Sequence, residues 1–187
     1  GTSMTELGTD LFLKGGDCKH PQYSLYDLNL NSQDLLVQVY WGKFYEAINY
    51  CNTALVRLKS APLRDDIRKR RIGEVYFLRA FYYWHLVEIW GEIHLTTTPS
   101  EGVQTEAHKS SVEKIYEQIF SDLDDAITHL QGYTVQEGGR ITLPAAEAFK
   151  ARMLLTRGKY ADAANLAEKV INDYGFQLFD KYAEVWD

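Results

Sequence analysis

The chain has 187 residues, enough for one domain or two small ones, and long enough to bury a core without disulfides or a structural metal. Hydrophobic residues make up 45% of it and charged residues 25%, the balance of a globular protein rather than a disordered or membrane-spanning chain. A formal net charge of −6 argues against nucleic acid as the main partner, because phosphate binding needs a basic face. The 13 Tyr, 8 Phe and 4 Trp must fill a core or line a binding surface, and only 4 Pro leave room for long helices. Cys18 and Cys51 are too few and too far apart for a disulfide framework or a zinc site.

Residues 1–35 hold Gly8, Gly15, Gly16 and Pro21 among polar residues and predict an irregular loop region with at most a short helix. Phe44, Ile48, Cys51, Leu55 and Leu58 then recur at the spacing of one apolar helix face, and Pro62 stops that helix. Asp65 or Asp66 can cap a helix running from about Ile67 to Trp90. From Val75 to Trp90 the strongly polar positions are Arg79, His85 and Glu88, so this segment is apolar on nearly every side and belongs inside a packed helical array. Its uncharged run is too short to span a membrane. The basic run Arg68-Lys69-Arg70-Arg71, flanked by Asp65, Asp66 and Glu74, predicts a solvated helix face.

Gly91 closes the apolar helix and Ile93 to Gly102 connects to the next. Ser110-Ser111-Val112-Glu113 fits a capping box with Ser110 as the cap, opening an amphipathic helix marked by Ile115, Ile119, Leu123, Ala126 or Ile127, and Leu130. After Gly132, Gly138 and Gly139, Thr142 can cap a helix that carries Pro144 in its first turn and runs to Arg157. Gly158 turns the chain into a last helix from about Tyr160 to Tyr174, ended by Gly175. No stretch alternates as a strand would. The run Gly158-Lys159-Tyr160-Ala161-Asp162-Ala163, with Ala151 and Leu154 before it, looks like one tetratricopeptide unit from about Pro144 to Gln177, echoed at Tyr45-Glu46-Ala47-Ile48. The fold class is therefore all-α: tetratricopeptide-like helical hairpins stacked as an α/α superhelix over 36–187, behind an irregular N-terminal region.

Catalytic chemistry finds little support. The histidines at 20, 85, 94, 108 and 129 form no zinc-protease pair, no glycine loop is set to cradle phosphate, and Glu88 with Glu92 is better explained as helix surface than as an acid/base pair. No cofactor is implied. Arg79, inside so apolar a helix, must find a carboxylate, either Glu74 or one from another helix.

The run Glu74-Val75-Tyr76-Phe77-Leu78-Arg79-Ala80-Phe81-Tyr82-Tyr83, followed by Leu86-Val87-Glu88-Ile89-Trp90-Gly91-Glu92-Ile93-His94-Leu95, resembles the signature of the SusD/RagB family. Further matches fall in that family's order: Trp41, Tyr45, Ile48 and Asn52; Ser111 to Tyr116 with Asp122-Leu123; Gly139-Arg140-Ile141-Thr142 with Ala145-Ala146; and Gly158. Glu6-Leu7-Gly8-Thr9-Asp10 and Gly15-Gly16-Asp17 look like its early loop. The resemblance implies a lipid-anchored protein on the extracellular face of the bacterial outer membrane, which binds a glycan or other nutrient without catalysis. It further implies delivery to a SusC-like TonB-dependent transporter. Residues 1–187 would be the N-terminal helical scaffold, with the lipid anchor and the family's C-terminal region not present in this chain. Glycans stack on exposed rings beside donors and acceptors. That makes Tyr23 and Tyr26, near Asp17, Asn29 and Asn31, the candidate ligand-binding residues, whereas Trp41, Tyr82, Tyr83, Trp84 and Trp90 sit in helical segments and are expected in the core. Two rivals are a scaffold that docks on the transporter without touching the nutrient, and a hydrolase, which would need a carboxylate pair. An isolated scaffold would expose apolar surface and self-associate.

Overall fold

The computed structural model describes residues 9, 12, 15–17, 19–102, 107–133 and 138–185. Expectations for Gly8, Cys18 and the early-loop positions Glu6, Leu7 and Asp10 lie outside these residues. The chain divides into two compact units, Gly1–Glu46 and Ala47–Asp187. The first holds the short helix α1 (Gln22–Leu25) and the start of α2 (Leu35–Leu58), which begins one residue before the helical region expected from residue 36.

The second unit is built of helices: the rest of α2, then α3 (Asp65–Trp90), α4 (Val112–Leu130), α5 (Leu143–Thr156) and α6 (Tyr160–Asp173), with a final 3-10 turn at Tyr182–Val185. The main pairings run α3 on α4, α4 on α5 and α5 on α6, the neighbour-to-neighbour order of a helical repeat array. Their interior is made by Phe77, Ala80, Tyr83, Leu86 and Val87 of α3, the fully buried Ile115, Ile119, Leu123, Ala126 and Leu130 of α4, and Ala146, Ala151, Met153 and Leu154 of α5. No helix among the described residues is long and apolar enough to cross a membrane.

Local chemistry explains the element ends. α4 is capped by Ser111, whose side chain accepts from the Lys114 amide at 3.3 Å. The predicted cap, Ser110, instead belongs to a two-residue antiparallel ladder, β1 (Ile93–His94) with β2 (Lys109–Ser110), too short to leave an alternating pattern in the sequence. Glu113 reaches Arg157 at 3.4 Å rather than back to the cap. Thr142 caps α5 as predicted, accepting from the Ala145 amide. Arg64 takes the capping position of α3 with no side-chain capping bond, its guanidinium donating instead to the Asp66 carboxylate, and Asp65 and Asp66 fall in the first turn, where they suit the helix dipole.

The α5–α6 turn closes on Gly158 at φ 71°, with its amide donating to Leu155 at 3.0 Å and that of Lys159 donating to Leu154 at 2.9 Å. These are the two bonds of a glycine-terminated helix, and they need a residue that tolerates positive φ. Gly73 serves differently: a Cβ there would meet Leu130 Cγ at 2.9 Å and the Ala126 carbonyl at 3.2 Å, so its lack of side chain sets how closely α3 approaches α4.

Two further expectations are corrected. The basic run is not a solvated face: the side chains of Arg68, Arg70 and Arg71 are 28%, 11% and 29% exposed. Arg70 lies 4.4 Å over the Tyr133 ring, and Glu74 accepts from Arg71 and Arg140. Trp41 is 38% exposed rather than core, with its ring 4.9 Å from that of Tyr45. Tyr83 is fully buried, and Tyr82, Trp84 and Trp90 are half-buried.

Candidate functional site

Within the first unit, Pro21 fixes the entry to α1 and Tyr26 ends it in the left-handed conformation at φ 51°, its amide donating to the Gln22 carbonyl at 2.9 Å. An exposed aromatic ring therefore stands at a fixed backbone corner, 67% accessible. The turns that follow are tied by short polar side chains, the local bonding that Asp and Asn offer a loop. The Asn29 amide donates to Asp27, Asn31 Nδ2 donates to the Leu28 carbonyl, and the Gln33 amide donates to Asn31.

Asp34 closes the loop. It accepts from Tyr23 Oη at 2.7 Å, Gln22 Nε2 at 2.6 Å and the Leu36 amide at 2.8 Å, capping α2 while pinning α1 to it. Burial pushes its carboxyl up, but these bonds, with one from the Val37 amide, outweigh it and hold the group below its ordinary value. Burial, then the bond to Asp34, pushes the Tyr23 phenol well above its ordinary value.

The candidate residues thus divide. Tyr23 is 7% exposed and its hydroxyl is committed to Asp34, so in any site on this unit it holds the loop in shape. Tyr26, Asp17 and Asn29 are exposed, and Asn31 is exposed with its amide spent inside the turn. Leu25 and Leu28, 54% and 95% exposed, lie to either side of Tyr26 in sequence and add apolar surface.

The second unit holds a buried polar centre. Arg79 is 5% exposed and Asp122 fully buried, and they make a bidentate pair, Nε to Oδ2 at 2.8 Å and Nη2 to Oδ1 at 2.6 Å. Nη1 donates to Asn52 Oδ1 at 2.8 Å, and Gln118 donates to Asp122. Burial alone would lower the Arg79 value, but the hydrogen bond and charge of Asp122 overcome it and the guanidinium stays protonated. The partner predicted for Arg79 is therefore found on α4, not at Glu74, which takes Arg71 at 2.9 Å.

This centre also binds backbone. Asn52 Nδ2 donates to the carbonyls of Thr96 and Thr98, and Tyr83 Oη both accepts from the Thr96 amide at 2.9 Å and donates to its carbonyl at 2.5 Å. Asn49 accepts from the Ser100 amide. Side chains of α2 and α3 thus fix segment 96–100 as a strap. A cavity of about 260 Å³ opens beside it, lined by Asn52, Lys59, Tyr76, Arg79, Thr97 and Asp125 among others. Glu88, expected on the surface, is exposed but accepts from the buried hydroxyl of Tyr116.

Comparison with known proteins follows from this architecture. The SusD-like family, described as starch-binding and associating with the outer membrane, matches residues 19–155. SusD-like protein P25 of Formosa agariphila is 26% identical over 97% of this chain and 38% of its own length; SusD-like protein P2 of the same organism is 31% identical over 74% of this chain and 28% of its own. Among solved structures, a laminarin-binding SusD-like protein superposes with a TM-score of 0.80 at 28% identity, covering 89% of this chain and 37% of that one. A SusD-like protein from Bacteroides fragilis gives 0.73 at 29% identity over 80% of this chain and 30% of its own. The chain spans well under half the length of each. A family match across most of the chain, joined to superposition of 89% of it on a laminarin-binding SusD-like protein, means that the chain belongs to the SusD-like family.

Proposed function

We propose that the chain takes part in non-enzymatic capture of a glycan at the bacterial outer membrane and its delivery to a TonB-dependent transporter. The observation that carries this reading is the match of residues 19–155 to a family described as starch-binding and outer-membrane-associated, supported by the superposition on a laminarin-binding relative. The chemistry of the first unit agrees with it. Tyr26 offers a ring face for the C–H surface of a sugar, and Asp17 and Asn29 supply an acceptor and an amide for its hydroxyls. Tyr23 serves the same surface by holding the loop against Asp34.

A second reading, docking on the transporter without nutrient contact, draws on a different surface. The groove between α5 and α6, about 430 Å³, is lined by Ala148, Ala151, Ala164, Ala167, Leu155 and Ile171 among others, and Leu155 and Ile171 are 57% and 64% exposed. Calorimetry of the intact protein against oligosaccharides and peptides, beside a titration with the transporter, separates the two. Saturable binding of an oligosaccharide supports capture. Tight transporter binding with no heat from any oligosaccharide or peptide supports docking and overturns capture.

A further inference from the structure

The cavity beside the strap has an unusual division of polar groups. Its floor is satisfied: Arg79, Asp122, Asn52 and Gln118 bond one another, and Arg79 Nη1 makes only a long 3.5 Å approach to the Thr97 carbonyl. Its rim is not. Lys59, Tyr76 and Asp125 line the same space, and among the described residues none of their side chains makes a hydrogen bond or ion pair. Asp125 is half-buried, on the helix face that also carries Gln118 and Asp122. Leu55 and the half-exposed Val56 add an apolar wall from α2.

Charge narrows the ligand. The lining holds two cationic groups, Lys59 and Arg79, and two anionic ones, Asp122 and Asp125, so a net anion or cation meets repulsion as well as attraction. A neutral polyhydroxylated ring meets neither. It can donate hydroxyls to Asp125, accept from Lys59 and Tyr76, and lay its C–H face on Leu55 and Val56. At about 260 Å³ the space lies below the roughly 300 Å³ at which pockets for drug-sized ligands begin, which suits one sugar ring rather than a chain.

We infer that this cavity is a second sugar site, carried by the helical unit and separate from the loop around Tyr26, that takes a single neutral pyranose ring. The inference rests on the glycan reading above. The strap gives it a rigid edge, since Asn52 and Tyr83 fix the backbone on which Thr97 is presented.

Saturation-transfer NMR on the intact protein, with methyl glucoside, galactoside and xyloside as probes, tests it. At least one glycoside should receive saturation, and Asp125→Asn and Lys59→Met should each weaken its binding about tenfold, as the loss of one charge-assisted hydrogen bond would. Tyr26→Ala should leave that signal in place, and unchanged thermal midpoints identify folded variants. A signal that survives both cavity substitutions overturns the site, and displacement of the sugar by glycine overturns the ligand class. Silence from every glycoside while oligosaccharides still bind by calorimetry overturns the cavity site alone; no binding of either kind removes the glycan reading with it.

Discussion

Arg79 and Asp122 leave water together, and their attraction offsets that cost only because the fork geometry is complete and Asn52 and Gln118 take the remaining bonds. Arg79→Met strands a carboxylate that is fully buried, so we expect a loss of about 3–5 kcal/mol in chemical denaturation. The double substitution with Asp122→Leu should recover most of it, and a double variant as unstable as the single one would show that the pair does not carry the cost. Asp34 gives a pH signature instead. Its folded value lies below the ordinary carboxylate value, so its contribution is complete above about pH 3.9 and is lost as the pH falls through the folded value. The protection factor of the Leu36 amide, its exchange rate taken relative to that of an unprotected amide at the same pH, should therefore fall on acidification in the native protein and stay unchanged over that range in Asp34→Asn.

At the scale of elements, the closeness of α3 to α4 depends on Gly73. Alanine there gains about 1 kcal/mol of helix propensity, but its Cβ meets Leu130 Cγ and the backbone carbonyl of Ala126, an overpacking that costs about 1–3 kcal/mol. Gly73→Ala should therefore lower stability in thermal unfolding, and a stabilised variant would mean that the pair can separate without cost. Helix spacing made α2 and α4 legible in the sequence through their apolar stripes, whereas α5 and α6 were marked by their ends, Thr142, Pro144, Gly158 and Gly175, and by the repeat-like run from Gly158 to Ala163. Asp122 was legible in part: it falls three residues after Ile119, on the apolar face of α4, where a carboxylate needs a cation. What local pattern could not supply was pairing across the chain. Asn52, Thr96, Arg79 and Asp122 meet only after folding, and the β1–β2 ladder joins residues too few to alternate. The same limit applies to the candidate site, where Tyr23, three residues before the exposed Tyr26, is buried with its hydroxyl on Asp34, a partner eleven residues away.

For the whole molecule, the exposed apolar surface of the second unit is the feature with the largest consequence. Leu155, Tyr160 and Ile171 on the last hairpin, and Phe176, Leu178, Phe179 and Tyr182 after it, are 57–97% exposed. Isolated apolar residues are ordinary on a protein surface, but seven within 28 residues on and after one hairpin concentrate apolar surface there and favour association. The 187-residue chain alone should self-associate as its concentration rises, and a single monomeric boundary at high concentration in sedimentation velocity would contradict this. The proposed sugar capture rests on membership of the SusD-like family and on the exposed Tyr26 at the end of α1. Its most direct measurement is a calorimetric titration of the intact protein with a panel of oligosaccharides, in the native form and as Tyr26→Ala. Saturable heat from at least one glycan, weakened about tenfold or more by the loss of one stacking ring, is expected; no heat from any glycan, or binding indifferent to Tyr26, would contradict capture or its placement at this loop.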